Sequence, residues 1–116
     1  MNLARLTDRA LQIRERFADL ARATGGRPWT KEEVMQGFVG DVGDLMKLVM
    51  AKAGSRGVAD LDRKLAHELA DCLWSVLVLA KLYEVDLEKA FARTMHELDA
   101  QIATQIAAAN SPPESP

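Results

Sequence analysis

Apolar residues recur along this chain at three- and four-residue steps, and no stretch alternates apolar and polar positions long enough to argue for a strand. Four helices and an all-α class follow. The first runs from about Leu3 to Ala23, with Leu3, Leu6, Ala10, Ile13, Phe17 and Leu20 on one face, and closes at Gly25-Gly26. Pro28-Trp29-Thr30 leads into the second, where Thr30 can cap and Glu33, three residues on, completes a reciprocal capping pair. That helix continues to about Ala53 and is stopped by Gly54-Ser55-Arg56-Gly57, a connection flexible enough to act as a mobile loop. Asp60 or Asp62 can cap a third helix reaching about Tyr83, and Asp86 a fourth from Leu87 to about Ala109. Residues 1–109 read as a single all-α domain; residues 110–116, rich in proline and serine, read as a disordered tail with no means of packing.

Two of these helices carry more than a core stripe. In the third, Leu65, Leu69, Cys72, Leu73, Val76, Leu77, Val78, Leu79 and Leu82 make the surface apolar nearly all round, which places it at the centre of an antiparallel four-helix arrangement. One subunit has too little material to cover it on every side, so a homodimer is expected. In the second, Gly37, Gly40 and Gly43 each cost about 1 kcal/mol relative to alanine. Either another helix packs closely on them, or they leave room for a ligand. A dinucleotide fingerprint is excluded by their spacing and by the lack of a preceding strand.

A chain of 116 residues buries about two-thirds of its unfolded surface, enough for one domain without a wide margin. Its 15 basic and 17 acidic residues give a net charge of −2, and the basic ones are scattered, so no nucleic-acid partner is expected. The lone Cys72 sits in an apolar run and reads as a small buried hydrophobe in a reducing cytosol. The longest apolar stretch, Cys72 to Ala80, is far short of the ~20 residues that span a bilayer. No membrane association and a cytoplasmic location are expected.

The chemistry lies in Asp41-x-x-Asp44 and Glu68-x-x-Asp71. Residues three apart on a helix are lateral neighbours, so each pair presents two carboxylates side by side. Asp41 and Asp44 sit among glycines and apolar residues with no basic partner before Lys47, and Glu68 and Asp71 precede the apolar run. If the two helices meet, four carboxylates converge at a cost that cations or protons must compensate. Hard oxygen donors suit Mg²⁺, or Mn²⁺, with phosphate as the companion ligand.

Gly40-Asp41-Val42-Gly43-Asp44-Leu45, His67-Glu68-Leu69-Ala70-Asp71-Cys72-Leu73-Trp74 and Val85-Asp86-Leu87-Glu88-Lys89-Ala90-Phe91 together resemble the MazG-like all-α nucleoside triphosphate pyrophosphohydrolases over about residues 28–100. The resemblance implies a four-helix bundle of that type assembled as dimer or tetramer. It implies Mg²⁺ held by Asp41, Asp44, Glu68 and Asp71, and hydrolysis of an NTP or dNTP to the monophosphate and pyrophosphate as nucleotide-pool house-cleaning. Asp41 and Asp44 stand where the family carries glutamates, one methylene longer. Water would attack a phosphorus of the triphosphate, with Glu68 accepting its proton.

Lys47 and Lys64 are candidates to meet phosphate oxygens, or simple helical ion-pair partners of Asp44 and Glu68. Trp29, Phe38 and Trp74 can stack on a base or serve core and interface; Trp29 is the substrate-binding choice. Two other readings compete. A di-iron bundle needs Glu-x-x-His pairs, and no glutamate here has a histidine three residues later. His67 and His96 read as surface or interface residues. The second is a catalytically weak or inactive MazG-like nucleotide-binding or dimerisation module, which steady pyrophosphate release would exclude.

Overall fold

The computed structural model describes residues 2–54 and 60–113. Among these residues the chain is all-helical: α1 is Leu3–Ala23, α2 Lys31–Ala53, α3 Leu61–Leu82 and α4 Leu87–Asn110. None of these helices is long and apolar enough to cross a membrane. Of the two segments read as mobile or disordered, Ser55–Gly57 and residues 114–116 lie outside the described residues. Helix α4 extends one residue beyond the expected Ala109, and the Ser111 hydroxyl donates to the Ala107 carbonyl at 2.9 Å to close it.

The helix ends follow local chemistry. Thr30 Oγ1 accepts the Glu33 N–H at 3.2 Å while Glu33 Oε1 accepts the Thr30 N–H at 3.0 Å, so two orphan donors at the start of α2 are satisfied reciprocally. Asp86 caps α4 through the Lys89 N–H. At α3 the position is right but the cap is missing: Asp60 lies in the left-handed region at φ 56° and its side chain makes no capping bond. A cap needs extended backbone to aim its side chain at the first turn, and left-handed backbone aims it elsewhere. Helices α1 and α3 end alike, the Gly26 N–H reaching the Ala21 carbonyl and the Val85 N–H the Ala80 carbonyl. The residue in left-handed conformation is Gly25 in one and Glu84 in the other.

The chain divides into two compact units, Met1–Val85 and Asp86–Pro116. In the first, α3 packs along α2 and against α1. Helices α2 and α3 run antiparallel, since Lys52 pairs with Asp62 near one end while Asp44 meets Glu68 further along. The core is narrow: Ala10 and Ala18 of α1, Val34 of α2, and Ser75, Leu77 and Val78 of α3. Trp74 locks α1 to α3, its indole N–H donating to the Ala10 carbonyl at 3.0 Å and its ring meeting Phe17 edge-on at 5.8 Å. The contact line on α1 follows Ala10 and Ala18, whose small side chains permit close approach. Phe17 and Leu20, expected inside, are 57% and 58% exposed. On α3, Leu69 and Leu73 are also uncovered, as is a stripe on α2 formed by Met35, Val39, Val42, Met46 and Val49. The second unit consists of α4 and the residues after it; it presents Phe91, Met95, Leu98, Ile102 and Ile106 at helical spacing, all exposed.

Candidate metal centre

Antiparallel packing brings the two acidic pairs together. Asp41, Asp44 and Glu68 each offer a carboxylate oxygen within 4.8 Å of the others, and His67, Glu68 and Asp71 form a second such group. Glu68 belongs to both. Its Oε2 is buried and has no hydrogen-bond partner among the described residues. A buried carboxylate oxygen left unpaired is costly, and its natural complement is a cation. Burial pushes the Glu68 carboxyl up from its ordinary value, and Asp71, Asp41 and Asp44 add repulsion in that order; His67 partly opposes them. Burial likewise raises Asp41, with help from Asp71 and Asp44. The donor set is chiefly oxygen and its carboxylates repel one another, so the residues present fit a hard divalent ion.

The sequence marks His67 as a surface or interface residue, and its side chain is 70% exposed, yet its Nε2 lies 3.0 Å from Asp71 Oδ2. The signal was there: residues four apart share a helix face. Cys72 stands next to the cluster, half-buried. Burial and then Asp41, Glu68 and Asp71 push its thiol up, away from thiolate character.

A family model for the MazG nucleotide pyrophosphohydrolase domain matches residues 29–101, a span that contains both acidic pairs. The chain belongs to the MazG family. Comparison with curated proteins and with solved structures returned no match.

Two cavities flank the acids in this MazG domain. The first, about 550 Å³, is lined by Asp41 and Asp71 together with Phe17, Trp29, Gly37 and Trp74. Trp29 is half exposed and its ring lies against the backbone of α2: a Cβ on Gly37 would meet Trp29 Cζ3 at 2.7 Å. Close approach at Gly37 is therefore by an aromatic ring. A Cβ built at Gly40 or Gly43 would meet nothing within 4 Å, so neither glycine is needed for a close approach within Met1–Val85.

The second cavity, about 580 Å³, is lined by Asp44, Glu68, Lys47, Arg63, Lys64 and His67 among others. Among the described residues neither Lys47 nor Lys64 forms the helical ion pair that its spacing allowed. Phe38 lines neither cavity. Arg63 was overlooked in the sequence, although it lies one turn before His67 on the face that carries Lys64, Glu68 and Asp71.

Proposed function

We propose that this MazG domain is a Mg²⁺-dependent nucleoside triphosphate pyrophosphohydrolase that converts an NTP or dNTP to the monophosphate and pyrophosphate. The observation that carries the reading is the convergence of both acidic pairs on Glu68, whose buried Oε2 has no protein partner. Asp41, Asp44, Glu68 and Asp71 hold the ion; Mn²⁺ satisfies the same donors. When bound, Mg²⁺ lowers the pKa of water and offsets phosphate charge. Glu68 accepts the proton of the attacking water, its longer side chain letting it swing between ion and water. Lys47 and Lys64 meet phosphate oxygens, and Trp29 offers its exposed face to the base.

The working form is a homodimer or a tetramer built on one. Within Met1–Val85 the stripe of α2 with Leu69 and Leu73 of α3 is more apolar surface than scattered exposure explains, the stripe of α4 by itself is likewise, and a second copy supplies complementary surface. Light scattering checks this, a monomer of 12.8 kDa at micromolar concentration being the contrary result.

To test the activity, purified protein is incubated with Mg²⁺ and a panel of standard and modified NTPs and dNTPs, and the products are separated chromatographically. Monophosphate with pyrophosphate is expected. Diphosphate with inorganic phosphate would be the wrong reaction, and nucleotide binding without turnover would favour the inactive module.

A further inference from the structure

The two ligand groups share Glu68 but differ in the donors that complete them. Asp41, Asp44 and Glu68 form an oxygen-only group drawn from α2 and α3. His67, Glu68 and Asp71 all lie on α3, and one of their donors is an imidazole nitrogen. Residues four apart share a helix face, so this second group is set by the folding of a single helix, whereas the first depends on how two helices pack.

His67 Nε2 stands 3.0 Å from Asp71 Oδ2. Two neighbouring donors about 2.1 Å from an octahedral ion stand about 3 Å apart, so the pair already has the spacing of adjacent ligands. An ion bound by both takes the place of the proton that a hydrogen bond between them requires. The imidazole is largely exposed, which leaves it open to an ion arriving from solvent. The third member, Glu68, carries the buried Oε2 that has no partner among the described residues. What the nitrogen changes is selectivity. Mg²⁺ gains little when imidazole replaces an oxygen donor, and borderline first-row ions gain much.

Resting on the metal site of the pyrophosphohydrolase reading, we infer that His67 is a metal ligand that sets ion preference: the His67, Glu68 and Asp71 group takes a divalent ion of the Co²⁺, Ni²⁺ or Zn²⁺ kind ahead of Mg²⁺. Mg²⁺ remains the ion of the oxygen-only group. Without His67 the α3 group falls to two carboxylates and loses its basis for discrimination.

Calorimetric titration of the full chain with Mg²⁺ and, separately, with Co²⁺ tests this without nucleotide or turnover. His67→Gln should weaken Co²⁺ about tenfold or more and leave Mg²⁺ within about twofold. Glu68→Gln should weaken both ions, since both groups use it. Because Co²⁺ is paramagnetic, proton NMR of the Co²⁺-loaded chain should show strongly shifted imidazole resonances that vanish in His67→Gln and persist in His96→Gln, the other histidine of the chain. A Co²⁺ affinity that His67→Gln leaves unchanged, an equal loss of Mg²⁺ affinity, or the absence of shifted imidazole resonances overturns the ligand role and leaves the Mg²⁺ site standing. Co²⁺ held through His67 but indifferent to Glu68→Gln is an adventitious ion only, and overturns it as well. Wild-type protein that binds neither ion overturns the inference together with the metal site on which it rests.

Discussion

The acidic pair on α2 and the pair on α3 face the same space but are held differently. Asp41 and Asp44 are short-armed, flanked by glycines, and free of cationic partners among the described residues. On α3, Asp71 has His67 at 3.0 Å, and Glu68 has the longer arm and reaches both ligand groups. Glu68, one methylene longer than Asp41 and Asp44, is the residue common to both groups, and in the proposed metal site it is the shared ligand. The asymmetry shows why two pairs of equal spacing need not be equivalent.

The most damaging change to that division is Glu68→Gln, which keeps size and removes the proton acceptor. Turnover should fall by about 10²–10⁴-fold, read as kcat on the best nucleotide; Asp44→Asn should cost less. A Glu68→Gln enzyme that retains most of its rate would transfer the base role to another group.

Metal-linked stability is next. Mg²⁺ at 100 times its dissociation constant should stabilise the fold by about 2.7 kcal/mol, measured as a rise in melting temperature or denaturation midpoint. Asp71→Asn should lose most of this response and most activity, yet be at least as stable as wild type without metal, since it relieves repulsion. An unchanged Mg²⁺ response in Asp71→Asn would reduce the quartet to a structural feature.

The pH dependence sharpens the same point. Asp41 and Glu68 have folded-state pKa values above their ordinary ones, so the fold binds protons more readily than the unfolded chain. Metal-free stability should therefore rise as pH falls from 7 toward the ordinary carboxylate range, and saturating Mg²⁺ should flatten that rise. Glu33 acts oppositely. Its bond to Arg27, followed by the backbone bond at Thr30, holds it down from 4.5 to about 2, so its contribution is present above 4.5 and is lost as pH falls toward 2. Melting temperature across pH should pass through a maximum in mild acid without metal.

The smallest effect concerns the glycines beside the α2 pair. Gly40→Ala meets open space in the chain as described and should gain up to about 1 kcal/mol of helix propensity. Gly37→Ala should show no such gain because its Cβ collides with Trp29. A destabilising Gly40→Ala would mean that a second copy packs closely there.

Helix boundaries were legible because they depend on neighbours in the chain. Thr30, Glu33 and Asp86 cap as expected, and α1 and α2 begin and end where the pattern put them. What escaped reading depends on rotation about a helix and on which surface arrives opposite. The contact line of α1 shifts onto Ala10 and Ala18 because closeness to α3 is set by small residues, and periodicity alone weights Phe17 and Leu20 more heavily. The acidic pairs were visible as spacing; their convergence required antiparallel packing, which sequence could only anticipate. His67 and Arg63 were missed because a histidine or an arginine on a charged face looks like solvated surface until a cavity forms beside it. The left-handed turns at Asp60 and Glu84 carry no glycine to announce them.

The contacts around Trp74 and Trp29 also differ in the length of chain they close, and this bears on the order of folding. Thr30, Glu33 and Arg27 interact across no more than 6 positions, so the α1–α2 corner closes small loops that form quickly. The indole bond from Trp74 to Ala10 spans 64 positions and must await the arrival of α3. With only two tryptophans in the chain, changes in emission as the protein refolds distinguish an early event at the corner, sensed by Trp29, from the later closure that buries Trp74.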